Sequence, residues 1–179
     1  RQVDNCKYEL EYLDIDLKWT NIPRITYSET VSIIEEKMDF KLQEVGLNTQ
    51  AEKLISEYVK SNYNSDFVFI TKYPLSERPF YAMPSNDGFS SETFELLYKG
   101  TEITSGGQRI HNYEELTSAI SAKGLDIANF ESYLMPFKYG MPPHGGMGLG
   151  LERLMKQMLD LNTADEASLI PRSKDKFIH

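Results

Sequence analysis

Two stretches of this 179-residue chain carry side chains whose types and spacing suit chemistry. The first is Thr101-Glu102-Ile103-Thr104-Ser105-Gly106-Gly107-Gln108-Arg109-Ile110-His111. It sets a carboxylate, a hydroxyl and a guanidinium along one expected strand. A carboxylate and a hydroxyl suit Mg²⁺, a hard cation that takes oxygen ligands and keeps waters and substrate phosphates. A guanidinium suits a carboxylate, which it holds through two parallel N–H···O bonds. The second stretch is His144-Gly145-Gly146-Met147-Gly148-Leu149-Gly150-Leu151-Glu152-Arg153-Leu154. Glycines at 146, 148 and 150 recur at the period of a strand, so they bare one face. Met147, Leu149 and Leu151 then point the other way, toward a core. Glycine weakens a strand, so three in alternation suggest that something flat lies against the backbone there. Glu152 and Arg153 follow at a helix start, where an arginine can stack over an aromatic base held on the glycine floor. The run is not the dinucleotide fingerprint, which would need a glycine at 151, where Leu151 stands. The plainer alternatives are a strand–helix turn whose glycines serve packing and a polar edge strand with solvated charges. The ordered glycine run and the clustering of polar groups weigh against both.

Strand parity constrains the first stretch. Glu102 and Arg109 are seven residues apart, so a regular strand sends them to opposite faces. They share a pocket only if an extra residue breaks the alternation, as a β-bulge does. Gly106-Gly107 permits a bulge, but one there does not bring Glu102 to Ser105; that pair needs an earlier irregularity. The spacing leaves open which occurs. The reading as a whole requires the two stretches to converge, with Glu102 and Arg153 opening into one cavity.

The rest of the chain supplies elements to hold these residues. Apolar residues at 151, 154, 155, 158 and 161 predict a helix directly after the glycine strand. Cys6, Leu10, Tyr12, Leu13 and Ile15 read as the tail of a helix. Thr26-Tyr-Ser-Glu29 is a capping-box pattern, opening a helix with Val31, Ile33, Ile34 and Met38 inward. Thr49-Gln-Ala-Glu52 is a second such pattern, opening a helix to about Val59 with Ala51, Leu54, Ile55 and Tyr58 inward. Both helices read as scaffold. Residues 66–71, 80–83, 93–99 and 101–110 read as strands, the last two as a hairpin turned at Gly100. Residues 85–91 read as a mobile polar loop. Asn112 caps a helix to Lys123, stopped by Gly124. Asp126 caps a short helix toward Tyr133. Pro142-Pro143 fixes an extended entry into the glycine strand. No repeat or linker divides the chain, so one domain is expected.

Composition narrows the class. With 40% hydrophobic and 26% charged residues the chain reads as an ordinary globular protein. No apolar run approaches a membrane span. A formal net charge of −8 argues against a stand-alone, non-specific nucleic-acid binder. The single cysteine, Cys6, excludes an internal disulfide framework and fits a cytoplasmic setting. The histidines, at 111, 144 and 179, lack zinc-ligand spacing. Arg1 rather than methionine opens the chain, which reads as a cut or processed start.

The glycine run with its Glu-Arg-Leu ending resembles motif 3 of the class II aminoacyl-tRNA synthetases. Glu102-Ile-Thr-Ser105-Gly-Gly-Gln108-Arg109-Ile-His111 resembles the aspartyl-tRNA synthetase pattern of the archaeal/eukaryotic type. Arg78-Pro-Phe-Tyr81-Ala-Met83-Pro84, Tyr139-Gly-Met-Pro-Pro143-His144 and Leu169-Ile-Pro171-Arg172 look like the same subgroup. The likeness runs from about residue 22 to the end, and the chain's close after Pro171-Arg172 looks like the family's usual terminus. It implies an α+β fold: a mixed, mainly antiparallel sheet flanked by helices. It also implies ATP and Mg²⁺ as cofactors. By resemblance Glu102 and Ser105 hold Mg²⁺ against the ATP phosphates, and Ser105 also touches the amino acid. Arg109 grips the aspartate side chain. Gly150, Leu151, Glu152 and Arg153 form the ATP site, with Arg153 and Glu102 carrying the catalysis. Gln108 and His111 take supporting roles, and His144 a structural one.

The family's motif 1, its motif 2 with a Phe-Arg-x-Glu segment, and its anticodon-binding barrel have no counterpart among these residues. The chain, 1–179, therefore reads as the C-terminal portion of a synthetase catalytic domain, expected to be inactive alone. The partners implied are aspartate, ATP and, for the full-length protein, tRNA and a second copy forming a homodimer. The activity implied is that of an aspartate–tRNA ligase, with charging of the asparagine tRNA also open. Alternatives are an asparagine–tRNA ligase, a synthetase-derived asparagine synthetase and a non-catalytic module. Gln108-Arg109-Ile110-His111 favours aspartate over asparagine.

Overall fold

The computed structural model describes residues 5–15, 21–42 and 46–171. Arg1, Arg172 and His179 lie outside the described residues. A five-stranded sheet in the order β1-β2-β3-β4-β5 organises the fold. Its strands are β1 (Arg24–Thr26), β2 (Phe67–Thr71), β3 (Thr93–Tyr98), β4 (Thr101–Arg109) and β5 (His144–Leu149). β1 runs parallel to β2, and the other three pairings are antiparallel. This is the mixed α+β arrangement expected from the sequence.

Helices follow their caps. α1 (Lys7–Tyr12) is short and buries nothing. α2 (Tyr27–Lys37) opens on a capping box in which Thr26 and Glu29 satisfy each other's backbone N–H groups. α3 (Thr49–Tyr63) is capped by Asn48, not Thr49: the Asn48 side chain accepts from the Ala51 N–H at 2.9 Å. The expected capping box of Thr49 with Glu52 is therefore absent, and Glu52 is free for other work. Asn112 caps α4 (Tyr113–Ala122), and Asp126 caps a 3-10 turn, Ile127–Phe130, leading into α5 (Glu131–Lys138). α6 (Leu151–Met158) follows β5 directly.

Alternation assigns the two faces of the sheet. On the front, Ile25, Val68, Ile70 and Leu97 meet Ile34 of α2 and Ala51, Ile55 and Val59 of α3 in one buried cluster. On the back, Phe67, Tyr98 and Ile103 pack against Leu154 and Met158 of α6. A third cluster, with Ile110, Leu116, Ile120, Leu134 and Phe137 at its centre, anchors α4 and α5 beyond the end of β4. α2 and α3 pack chiefly over the β1–β3 half of the front, and α3 reaches the edge of β4. The β4–β5 half is left for the candidate site.

Three expectations need correction. Residues 80–83 form no strand; Ala82 makes one isolated bridge to Arg109. Pro79 and Pro84 bracket the segment and lack the N–H groups that a ladder needs. Residues 85–91 are tied down: Asp87 accepts from the Phe89 and Ser90 N–H groups, and Lys72 reaches both Ser85 and Glu92. Met147, Leu149 and Leu151 do not enter a core but are 70, 53 and 59% exposed. Among the described residues β5 is an edge strand, and α6 turns its apolar side to β2–β4 instead.

Candidate active site

A single β-bulge builds the site. Leu96 of β3 pairs with Thr104 and Leu97 pairs with Glu102, so Ile103 has no partner across the ladder. The extra residue sends both Ile103 and Thr104 to the back. It restores Glu102 to the front, where Ser105, Gly107 and Arg109 follow in ordinary alternation. One irregularity thus serves both pairs that parity had separated. No bulge occurs at Gly106-Gly107, where pairing is unbroken on both sides. Those glycines answer a different need. A Cβ on Gly106 would lie 2.5 Å from the Gly146 carbonyl oxygen, and one on Gly107 2.5 Å from the Glu92 carbonyl oxygen.

A bulge leaves backbone groups that the ladder cannot satisfy, and neighbouring elements take them up. The Gly150 N–H donates to the Ile103 carbonyl at 2.8 Å. Arg153 Nη1 donates to the Glu102 carbonyl at 3.1 Å and to Glu102 Oε2 at 3.2 Å. Glu52 of α3 lies near enough for the Glu102 N–H and Arg153 to pull its carboxyl pKa down. Gln157, one turn beyond Arg153, donates to the Lys99 carbonyl at 3.2 Å and to Thr101 Oγ1 at 2.5 Å. α6 is thereby clamped to the β3–β4 turn, which holds Arg153 beside Glu102.

Beside this pair lies a cavity of about 220 Å³. It is below the 300–1,000 Å³ typical of drug-sized pockets and suits a small polar molecule. Arg78, Tyr81, Ser105, Gly107, Arg109, Gly146 and Gly148 are among its lining residues. The three front-facing glycines of the second stretch divide their work. A Cβ on Gly146 would strike the Arg109 guanidinium, Gly148 faces open space, and Gly150 underlies the Arg153 stem at 3.4–3.6 Å.

The structure therefore brings Ser105, Arg109, Gly146 and Gly148 to one cavity, and Glu102 to Arg153 beside it. Glu102 and Arg153 touch each other but do not line that cavity. Leu151 and Glu152 lie exposed at the start of α6. His144 Nδ1 bonds the Pro142 carbonyl at 3.0 Å, a local structural contact. Among the described residues no group of three or more His, Cys, Asp or Glu side chains is placed to hold a metal.

Sequence reasoning missed four residues here. Glu95 of β3 is front-facing, accepting from Tyr73 Oη at 2.5 Å and Arg78 Nη2 at 2.8 Å. Arg78 also lies over the Tyr73 ring at 3.8 Å, and its buried Nε has no partner among the described residues. Burial beside Glu95 pushes the Tyr73 phenol up, so it stays a donor. Burial and the Glu95 and Glu102 carboxylates push Glu52 up to about 7, against the pull of the Glu102 N–H and Arg153. Glu95 was detectable in principle, being seven residues before Glu102 across a hairpin. Glu52 was hidden by its apparent capping role.

Residues 1–174 match the family of class II tRNA synthetases (D, K and N), and the chain belongs to that family. It is 46% identical over 157 residues to the aspartate–tRNA(Asp/Asn) ligase of Thermus thermophilus, a match covering 88% of this chain and 37% of that protein. Its fold is similar to an aspartyl-tRNA synthetase from Entamoeba histolytica, with a TM-score of 0.85 at 34% identity over 90% of this chain and 34% of that one. It is also similar to the asparaginyl-tRNA synthetase of Pyrococcus horikoshii, with a TM-score of 0.84 at 29% identity over 98% and 42%. The chain thus spans less than half the length of each of these three proteins.

Proposed function

We propose that these 179 residues are the C-terminal portion of the catalytic domain of an aspartate–tRNA ligase. The ligase activates aspartate with ATP and transfers it to tRNA in the cytoplasm. The observation that carries this reading is the Ile103 bulge, which gathers Glu102, Ser105 and Arg109 on one face beside Arg153. The Asp/Asn name of the Thermus relative supports a whole protein that also charges the asparagine tRNA. A homodimer is proposed for that whole protein on family grounds.

In this reading the aspartate α-carboxylate attacks the α-phosphorus of ATP and pyrophosphate leaves. The acyl group then passes from the adenylate to the terminal ribose of tRNA. Protein groups contribute alignment and charge neutralisation rather than covalent steps. Arg109, with no carboxylate partner among the described residues, takes the aspartate side chain in the cavity. Arg78, on the same wall, is held by Glu95 and leaves that role to Arg109. Gly148 gives an open floor, and Arg153 stacks on the adenine once it leaves Glu102. Glu102 and Ser105 supply a carboxylate and a hydroxyl on one face, with the Glu95 carboxylate close by. That donor set fits Mg²⁺, which is bound through one or two carboxylates while keeping waters and phosphates. Held there, the ion would supply positive charge to offset that of the phosphates.

A binding comparison tests the reading. The non-hydrolysable aspartyl-sulfamoyl adenosine should bind this chain at least about tenfold more tightly than its asparaginyl counterpart, because an amide offers the guanidinium one acceptor instead of two. Equal affinity, or a preference for asparagine, would favour the asparagine–tRNA ligase reading, which the fold likeness to the Pyrococcus protein also supports. Charging of tRNA by the chain alone should be negligible. An ordinary rate would overturn its reading as a partial catalytic domain.

A further inference from the structure

Arg109 ends β4 on a long, flexible side chain, yet its guanidinium is held without an ion pair among the described residues. Tyr81 lies on one side, its ring centroid 5.1 Å from Arg109 Cζ. Gly146 lies on another. A Cβ built there would stand 2.8 Å from Nη2, 3.2 Å from Cζ and 3.4 Å from Nε, so all three atoms rest against bare backbone. Gly146 pairs with Gly107, two positions along the front face from Arg109. Tyr81 is fixed too: the Ile110 N–H donates to its carbonyl at 2.9 Å, and the adjacent Ala82 bridges to Arg109. Arg78 differs, being only 13% exposed and committed to Glu95. Arg109 is the guanidinium on the cavity wall that remains available for a ligand.

We propose that Tyr81 and Gly146 are positioning residues, forming a slot that orients the Arg109 guanidinium and so gives the cavity its preference for a carboxylate over an amide. The inference rests on the reading that Arg109 meets the substrate side chain. Discrimination needs orientation. A carboxylate satisfies two parallel N–H groups, whereas an amide presents one acceptor and one donor. A guanidinium free to swing meets either ligand through a single bond and loses the difference. The ring face attracts the cation while the bare backbone admits it closely. A methyl group at 146 intrudes on the tip of a flexible side chain and not on backbone. The guanidinium therefore moves while the sheet stays, which separates this role from a structural one.

The test uses Gly146→Ala, Tyr81→Leu and Tyr81→Phe in this chain. Affinities for aspartyl- and asparaginyl-sulfamoyl adenosine are measured by calorimetry, and the Arg109 Nε–H resonance is followed by NMR. Gly146→Ala should weaken the aspartyl ligand about 10–100-fold, as displacement by about 1 Å can. Its aspartyl-to-asparaginyl ratio should fall toward one, with the melting temperature nearly unchanged. Tyr81→Leu should lower the ratio by less, and Tyr81→Phe, which keeps the ring, should restore it. An unchanged ratio in Gly146→Ala, within about twofold, would overturn the slot while leaving the Arg109 reading intact. If the unsubstituted chain does not distinguish the two ligands, the Arg109 reading fails instead. The slot is then judged by the resonance alone: ring-shifted and slowly exchanging in the parent, shifted and fast in Gly146→Ala. No change in that signal refutes it.

Discussion

The front of the sheet has two halves built on the same pleat. Under α2 and α3, the positions facing outward from β1, β2 and β3 are Ile25, Val68, Ile70 and Leu97, all buried. Across β4 and β5 the corresponding positions are Glu102, Ser105, Gly107, Arg109, Gly146 and Gly148, and among the described residues α3 reaches this half at Glu102, through Glu52, short of the cavity. Alternation fixes which residues face forward in both halves. What differs is only the residue types, apolar and bulky on one side, polar or bare on the other. Large apolar groups draw a helix over them; glycine and charge leave space for a ligand. Glu95 and Glu52 stand on the border, where each charge meets a partner before the core begins. Stability and binding should therefore separate across a boundary one strand wide.

The sharpest way to break this comparison is to make the same kind of truncation on both sides. Ile55 has no exposed surface and packs in the covered half. Ile55→Ala should cost about 2–5 kcal/mol, the range for a buried aliphatic cavity. Ser105→Ala, in the open half, should change stability by no more than about 0.5 kcal/mol while weakening ligand binding. Denaturant unfolding of the two variants checks this. Similar losses at both sites would mean that the open half also carries the fold.

The covered half was far more legible in the sequence than the open one, for a physical reason. Helix caps and apolar periodicity are local, so the Thr26 capping box and the inward Ala51 and Ile55 could be read directly, as could the Asn112 and Asp126 caps beyond the end of β4. The residues of the open half were legible as types, but their placement depends on pairing between strands. The bulge falls at Ile103 because β3 skips it, which no count along β4 alone reveals. Glu52 fits a capping pattern with Thr49 in sequence, but Asn48, one residue before Thr49, takes the cap and leaves Glu52 to face the sheet. Met147 and Leu149 alternate as a half-buried strand should, but that alternation does not say whether anything covers their face.

The glycines of the open half sharpen the comparison at smaller scale. A methyl group on Gly107 would meet backbone, the Glu92 carbonyl at 2.5 Å and Thr93 Cα at 2.8 Å, and neither can step aside cheaply. Gly107→Ala should therefore cost about 1–3 kcal/mol, the usual price of overpacking. Gly148, on the same face, has nothing within 4 Å of such a methyl. Gly148→Ala should leave stability within about 0.5 kcal/mol and instead obstruct the floor, lowering affinity for an adenosine-bearing ligand. Thermal unfolding and calorimetry of the pair read both effects. A stability loss at 148 equal to that at 107 would show that the floor is a packed surface and not an open one.

The smallest effect lies at the border. Burial and the Glu95 and Glu102 carboxylates push Glu52 up to about 7 from its ordinary 4.5, with Arg153 and the Glu102 N–H pulling the other way. A carboxyl raised on folding binds its proton more tightly in the folded chain than in the unfolded one. Its contribution is most favourable below about pH 4.5, falls as pH rises toward 7, and is constant above. Glu29 and Glu92, both lowered by hydrogen bonds, act in the opposite sense and lose their contribution as pH falls. Glu52→Gln isolates the border residue from them. At pH 8 in the absence of metal, the variant should be the more stable by up to about 1 kcal/mol, after allowing for solvent screening of a partly exposed group. That is about 2–4 °C in melting temperature for a chain of this size, and the advantage should shrink toward pH 5. A variant less stable than the parent at pH 8 would place Glu52 with the covered half, as part of the scaffold that its sequence pattern first suggested.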